Sequence, residues 1–264
     1  MGRLPCADDL VYFDNGIVFA KWSTVSNVAY VLLGMIGMYQ THQSTLHAQR
    51  RTAERAATSS PVLRPQMAMI LYAWILMIGI VSTVYHSTLQ PWSLSMDFFA
   101  IEVYCLLVLW NLCLNKFSPL VFWGTSIVVV GTTFLLKVSA VADTSWRSMS
   151  SVVYNGMVSI LMMTIFLVTW DRYLTFRRRV QQPMDRWATK YVHPHQLTAW
   201  KKSRFYLLVS CIGFGLALVC FILPKVYCPV RRGDYPWFQM HSYWHLLSAT
   251  SLYCLVQTLS CIQQ

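Results

Sequence analysis

The composition of the chain excludes a soluble globular protein. Of its 264 residues, 56% are hydrophobic and 12% are charged, whereas soluble domains average roughly a quarter charged residues. The formal net charge of +11 comes from basic clusters between apolar segments, where such clusters fix topology and attract anionic lipid headgroups. We therefore expect an integral membrane protein without a nucleic-acid partner.

Seven apolar segments follow one another along the chain, each close to the roughly 20 residues that a helix needs to cross the hydrocarbon core. They cover residues 23–40, 66–86, 97–115, 118–137, 149–170, 204–223 and 239–261. Only helices and closed barrels satisfy their backbone groups in lipid, and these segments are too long for barrel strands. The sequence therefore predicts an all-α fold, a bundle of seven transmembrane helices that forms a single domain over residues 1–264.

Lysine and arginine are distributed unequally between the two sides of this predicted bundle. Seven lie on the side of the N-terminus and fourteen on the other side. Because cytosolic loops carry the excess of positive charge, we expect a lumenal or extracellular N-terminus and a cytosolic C-terminus. The expected location is the endoplasmic reticulum or Golgi, with the plasma membrane as the alternative.

Two of the eight cysteines lie outside the predicted helices. Cys6 and Cys228 both fall on the non-cytosolic side, where disulfides persist. A bond between them would tie the N-terminal segment to the loop before the last helix. The alternative from the residues alone is two free thiols.

Ionisable residues at membrane depth are costly and usually functional. His86 ends the second segment, Asp97 begins the third, and His241 and His245 begin the last. Alternating helix directions bring these ends to the same, non-cytosolic membrane level. The spacing of His241 and His245 puts both imidazoles on one helix face.

Three neutral imidazoles with one position open for water form the typical catalytic zinc site. We therefore predict zinc at His86, His241 and His245. Asp97 would accept and deliver the proton, and Ser82, one turn before His86, would hydrogen-bond the water or a developing oxyanion. Simpler alternatives are an interfacial helix-end histidine, a dipole partner at Asp97, and a Ser82 hydroxyl bonded back to its own helix.

Three motifs resemble the alkaline ceramidase family, which belongs to a wider group of seven-helix membrane hydrolases and receptors. They are Ser82-Thr-Val-Tyr-His86, Asp97 eleven residues later, and His241-Ser-Tyr-Trp-His245. The run Trp-Ser-Thr-Val-Ser-Asn at residues 22–27 is also similar. The resemblance implies zinc at the three histidines, assistance from the aspartate and the serine, and hydrolysis of ceramide, a membrane lipid, to sphingoid base and fatty acid.

The resemblance also implies a disulfide between Cys6 and Cys228. One feature departs from the family, which carries an acidic calcium site before the first helix. This chain has Leu4-Pro5-Cys6-Ala7-Asp8-Asp9 and Ala20 there, so most calcium ligands are missing and only Asp8 and Asp9 could hold a weakened site. The choice of ceramide is therefore open to two alternatives, a lipid ester hydrolase and a zinc-containing receptor or scaffold without turnover.

Overall fold

The computed structural model describes residues 11–14, 17–54, 65–113, 124, 126–128, 131, 144–185, 194–226 and 240–262. Two short strands, β1 (Val11–Asp14) and β2 (Ile17–Ala20), form an antiparallel hairpin that pairs Val11 with Ala20 and Asp14 with Ile17. The helices within the described ranges are α1 (Lys21–Ser26), α2 (Val28–Glu54), α3 (Pro65–Thr88), α4 (Pro91–Cys113), α5 (Thr144–Asp185), α6 (Pro194–Val226) and α7 (Met240–Ile262).

The predicted segments are helical where the structure describes them, whereas the number of seven membrane spans stays a prediction. Segments 66–86, 97–115 and 239–261 coincide with α3, α4 and α7, and segments 149–170 and 204–223 lie inside the longer α5 and α6. Within the described residues, α3, α4, α6 and α7 are long and apolar enough to cross a membrane. The protein is therefore an integral membrane protein. The predicted segment 118–137 lies mostly outside the described residues.

The start of the chain differs from the prediction in two ways. A β-hairpin, which the all-α prediction did not include, precedes the helices. The predicted span 23–40 is also divided at Asn27, whose carbonyl accepts hydrogen bonds from the backbone N–H groups of Tyr30 and Val31 at 3.1 and 3.4 Å. The chain turns at Asn27, and α2 begins anew at Val28. Hydropathy continues across this break and cannot reveal it.

The core lies between α2, α3, α4, α5 and α7 and contains several fully buried large side chains, among them Tyr72, Ile75 and Tyr104. Hydrogen bonds between helices supplement this packing, because apolar contact alone gives little preference for protein over lipid. The hydroxyl of Tyr104 donates to the Leu252 carbonyl at 3.3 Å. Ser210 of α6 and Ser251 of α7 each donate to the other's carbonyl, at 2.8 and 2.7 Å.

Small residues allow α2 and α3 to approach closely. A Cβ added to Gly34 would lie 2.8 Å from the backbone nitrogen of Leu76 and 2.9 Å from the carbonyl oxygen of Tyr72. A Cβ added to Gly79 would lie 2.8 Å from the Cβ of Tyr30. These glycines set the distance between the helix that carries Ser82 and His86 and the helix that follows Asn27.

We expect Gly34→Ala to destabilise the protein by about 1–3 kcal/mol, the usual range for overpacking. The new methyl group would meet backbone atoms of α3, which cannot rotate away. Gly215→Ala is the matched control, because a Cβ at Gly215 meets nothing within 4 Å. Thermal unfolding of both variants in detergent measures the difference. An equal melting temperature for the two variants would contradict the close approach of α2 and α3.

Candidate metal and catalytic site

Three imidazoles from two helices meet at one end of the bundle. His86 lies in the last turn of α3, and His241 and His245 occupy the first two turns of α7. The ring centroids are 5.1 Å apart for His86 and His241, 4.9 Å for His86 and His245, and 4.7 Å for His241 and His245. One ligand atom from each residue lies within 4.8 Å of the other two. The three side chains could therefore hold one metal ion.

The cluster is enclosed rather than interfacial. His86 and His245 are only 4% and 3% exposed, so the alternative of a solvent-facing helix-end histidine does not hold for either. Tyr85 packs on His86 with ring centroids 4.7 Å apart, and Phe221 of α6 lies 6.3 Å from His241. Apolar surroundings of this kind restrict the access of solvent to a metal site and lower the local dielectric constant.

The donor set itself indicates which metals fit. Three nitrogen donors without a thiolate suit zinc, copper, iron or nickel, whereas calcium and magnesium require oxygen ligands. Neutral imidazoles also add no charge to the membrane interior. The residues present therefore fit a borderline-soft divalent transition metal.

Residues of α1 contact the Nδ1 atom of the His245 ring. Its Nδ1 atom lies 3.0 Å from the Ser26 hydroxyl and 3.1 Å from the Ser23 carbonyl. One turn further along α7, the Ser248 hydroxyl contacts the Tyr30 hydroxyl at 2.5 Å. Sequence analysis missed this layer, because residues 23–30 read as part of a continuous apolar span. The only signal in the sequence was the Trp-Ser-Thr-Val-Ser-Asn run, which was noted only because it is similar to the alkaline ceramidase family.

Asp97 is 8% exposed and lies six residues beyond Pro91, the first residue of α4. The dipole effect of a helix is confined to its first turn, so the alternative role as a dipole partner is wrong. Asp97 instead interacts electrostatically with Tyr30, whose ring packs against His245 at 6.3 Å. Tyr30 thus links Asp97 to the histidine cluster, and the catalytic role of Asp97 stays a prediction. The second buried acid of α4, Glu102, interacts with Cys105 on its own helix.

Ser82 is 3% exposed and lies one turn before His86 on α3. Its neighbours Thr83 and Thr88 donate to carbonyls one turn earlier, at 2.7 and 2.8 Å. In the part of the chain that the structure describes, the Ser82 hydroxyl makes no such back-bond. The O–H group of Ser82 can therefore donate to an acceptor outside its own helix.

The remaining predicted residues lie beyond the described ranges. The predicted disulfide between Cys6 and Cys228, and the two acidic residues Asp8 and Asp9, fall in segments 1–10 and 227–239.

Helices able to cross a membrane thus carry a three-histidine cluster that could hold a metal ion. A family model described as Ceramidase matches residues 17–264. The chain therefore belongs to the ceramidase family, which confirms the resemblance seen in its motifs. A comparison with curated proteins gave no match.

We expect the purified protein to carry about one divalent transition-metal ion per chain, as three-histidine sites do. His245→Ala removes a buried ligand, so the bound metal should fall to about a tenth of the wild-type content or less. His42→Ala is the control, because His42 is exposed on α2 and is not part of the cluster. Elemental analysis by mass spectrometry gives metal per chain. Equal metal content in the His245 and His42 variants would contradict the site.

Proposed function

We propose that the protein hydrolyses the amide bond of ceramide, or of a closely related lipid amide, at a zinc ion held by His86, His241 and His245. The products are a sphingoid base and a fatty acid. The observation that carries this proposal is the cluster of three imidazoles, of which His86 and His245 are buried, in a chain of the ceramidase family. Ceramide is a membrane lipid, and the cluster lies in helices that can cross a membrane.

Zinc is the ion that we infer for the site, because three neutral imidazoles with a fourth position open for water are its common catalytic environment. When bound there, it would supply Lewis-acid polarisation and lower the pKa of a water molecule. The remaining chemistry falls to the side chains of this chain. In the reaction, the oxygen of water bonds to the amide carbon, the C–N bond breaks, and the amine nitrogen gains a proton.

Asp97 is the proposed proton carrier. Its carboxylate is buried and interacts electrostatically with Tyr30, whose ring packs against His245, and in this proposal it accepts the proton of the attacking water. The same group can then deliver that proton to the leaving amine, which is a poor leaving group unless protonated. A carboxylate placed between water and amine thus serves both halves of the reaction.

Ser82 is the proposed donor to the carbonyl oxygen. Negative charge develops on this oxygen as the amide carbon becomes tetrahedral, and a prepositioned donor in a site of low dielectric stabilises that charge. The Ser82 hydroxyl faces the interior next to His86 and is not engaged by its own helix. A serine in this role needs no activation as a nucleophile.

The lipid substrate is proposed to reach the site laterally from the bilayer. The outer faces of α5 and α6 expose large apolar side chains, among them Ile160, Leu167 and Phe205 at 69%, 65% and 61%. These faces suit acyl chains, whereas the histidines are enclosed by aromatic rings. Binding in this way would exclude bulk water from the reacting bond.

We further propose that the seven predicted spans form one domain over residues 1–264 in an endoplasmic reticulum or Golgi membrane, with the histidines near the lumenal face. The described basic residues support this orientation. Arg177–Arg179 lie in the last quarter of α5, and Lys201 and Lys202 lie in the first third of α6. The other end of α6 carries Phe221, which contacts His241. A lumenal N-terminus would also allow the Cys6–Cys228 disulfide.

We expect wild-type protein to release sphingoid base from ceramide, and Asp97→Asn to lower kcat by roughly 10²–10⁴-fold, the usual contribution of general acid–base catalysis. Ser82→Ala should lower kcat by roughly 10²-fold or more, as loss of an oxyanion donor does. Mass spectrometry of lipids after incubation with purified protein measures both products.

Asp171→Asn is the control, because Asp171 is an exposed carboxylate at the opposite end of the bundle. Ester-linked lipids with the same acyl chains are assayed in parallel. Turnover of esters with none of ceramide would replace the amidase proposal by the esterase alternative. Metal-loaded protein that turns over neither substrate would favour the receptor or scaffold.

The orientation predicts where the chain can be glycosylated. The sequence contains no Asn-x-Ser/Thr acceptor, so an acceptor introduced into segment 227–239 should be modified in the lumen, and one introduced into segment 55–64 should not. Endoglycosidase sensitivity on gels distinguishes the two. The reverse pattern would invert the orientation.

A further inference from the structure

We propose that α1 selects the tautomer of His245, through the Ser23 carbonyl and the Ser26 hydroxyl, so that Nδ1 carries the hydrogen and Nε2 is the atom presented to the metal. Ser26 is then a positioning residue that acts through His245. The part of this inference that concerns metal affinity rests on the proposed function, whereas the tautomer belongs to the apoprotein and can be measured separately.

The contacts form a closed triangle. The Nδ1 atom of His245 lies 3.0 Å from the Ser26 hydroxyl oxygen and 3.1 Å from the Ser23 carbonyl oxygen. The Ser26 hydroxyl in turn donates to the same Ser23 carbonyl at 2.9 Å. All three residues are buried, at 0% exposed for Ser23, 7% for Ser26 and 3% for His245.

Only one placement of the hydrogens among these three contacts avoids repulsion between lone pairs. A carbonyl oxygen only accepts, so the Ser23 oxygen requires a donor on the atoms that face it. If Nδ1 lacked a hydrogen, its lone pair would face that oxygen at 3.1 Å. With the hydrogen on Nδ1, both the ring and the Ser26 hydroxyl donate to the carbonyl, and the Ser26 oxygen can accept as well.

Burial makes this preference difficult to bypass. An unpaired polar group away from water is costly, and the low exposure of the three residues leaves bulk solvent little access as a substitute partner. A neutral imidazole has one hydrogen, so fixing it on Nδ1 leaves the Nε2 lone pair available. Partners of this kind set the tautomer and ring orientation of metal-binding histidines and are worth roughly 10–100-fold in metal affinity.

The break at Asn27 explains how α1 can reach His245. Ser23 and Ser26 are three residues apart and therefore share one face of α1. Because the helix stops at Ser26 and α2 begins separately at Val28, α1 packs against both α3 and α7 with its own orientation. The short helix is thus part of the metal site rather than the beginning of a membrane span.

The first test is the zinc affinity of the purified full chain, measured by competition with a chromogenic chelator. We expect Ser26→Ala to bind zinc roughly tenfold more weakly, at the lower end of the usual range because the Ser23 carbonyl remains. Ser26→Thr keeps the hydroxyl and should restore affinity to within about twofold of wild type.

Ser210→Ala is the matched control. Ser210 is also fully buried and also donates its hydroxyl to a carbonyl across a helix interface, but its partner is Ser251, away from the histidines. It should leave zinc affinity unchanged. If Ser26→Ala changes affinity no more than Ser210→Ala does, the positioning role of Ser26 is wrong even if the metal site stands.

The second test reads the tautomer directly. Nitrogen-15 NMR of histidine-labelled, metal-free protein, with the His245 signals assigned from the spectrum of His245→Gln, distinguishes a protonated Nδ1 from a protonated Nε2. We expect the hydrogen on Nδ1, and a hydrogen on Nε2 would overturn the inference. Wild-type protein that binds no zinc would defeat the proposed function, while this spectrum would still decide the tautomer.

Discussion

The structure depends on holding three neutral imidazoles together at one end of a bundle of apolar helices. Charged groups at membrane depth are expensive, so nitrogen ligands can gather there only if helix ends converge and neighbouring groups satisfy the ring hydrogens. The end of α3 and the start of α7 supply the ligands, and α1 supplies partners for His245. The close α2–α3 approach at Gly34 and Gly79 fixes the position of α3.

The hydrogen bonds between helices also serve to hold the three imidazoles together. The inward face of α7 carries three polar groups at successive turns that are met by other helices. His245 meets α1, Ser248 meets Tyr30 of α2, and Ser251 meets Ser210 of α6. These bonds fix the rotation and height of α7, which lipid contact alone would leave undetermined. Because α7 is fixed in this way, His241 and His245 are oriented toward His86.

The sequence alone could predict two kinds of feature, long apolar segments and ionisable residues that are costly inside them. Apolar length revealed α3, α4, α6 and α7, and the rarity of ionisable residues in such segments singled out His86, Asp97, His241 and His245. It could not predict the helix break at Asn27, because hydropathy is averaged over a window much longer than one residue. Nor could it find Ser23 and Ser26, because serine is inexpensive in a helix and becomes informative only when a partner from a distant segment is known. The hairpin at Val11–Ala20 was likewise hidden, since a short strand pair outside the membrane leaves little hydropathy signal.

The central claim is that one metal ion is shared by ligands separated by more than 150 residues of chain. X-ray absorption spectroscopy at the zinc edge, on protein purified without added metal, counts the atoms bound to that ion. The account predicts three imidazole nitrogens and no sulfur, with one imidazole lost when His86 is replaced. A sulfur-containing shell, or a spectrum unchanged by that replacement, would contradict it.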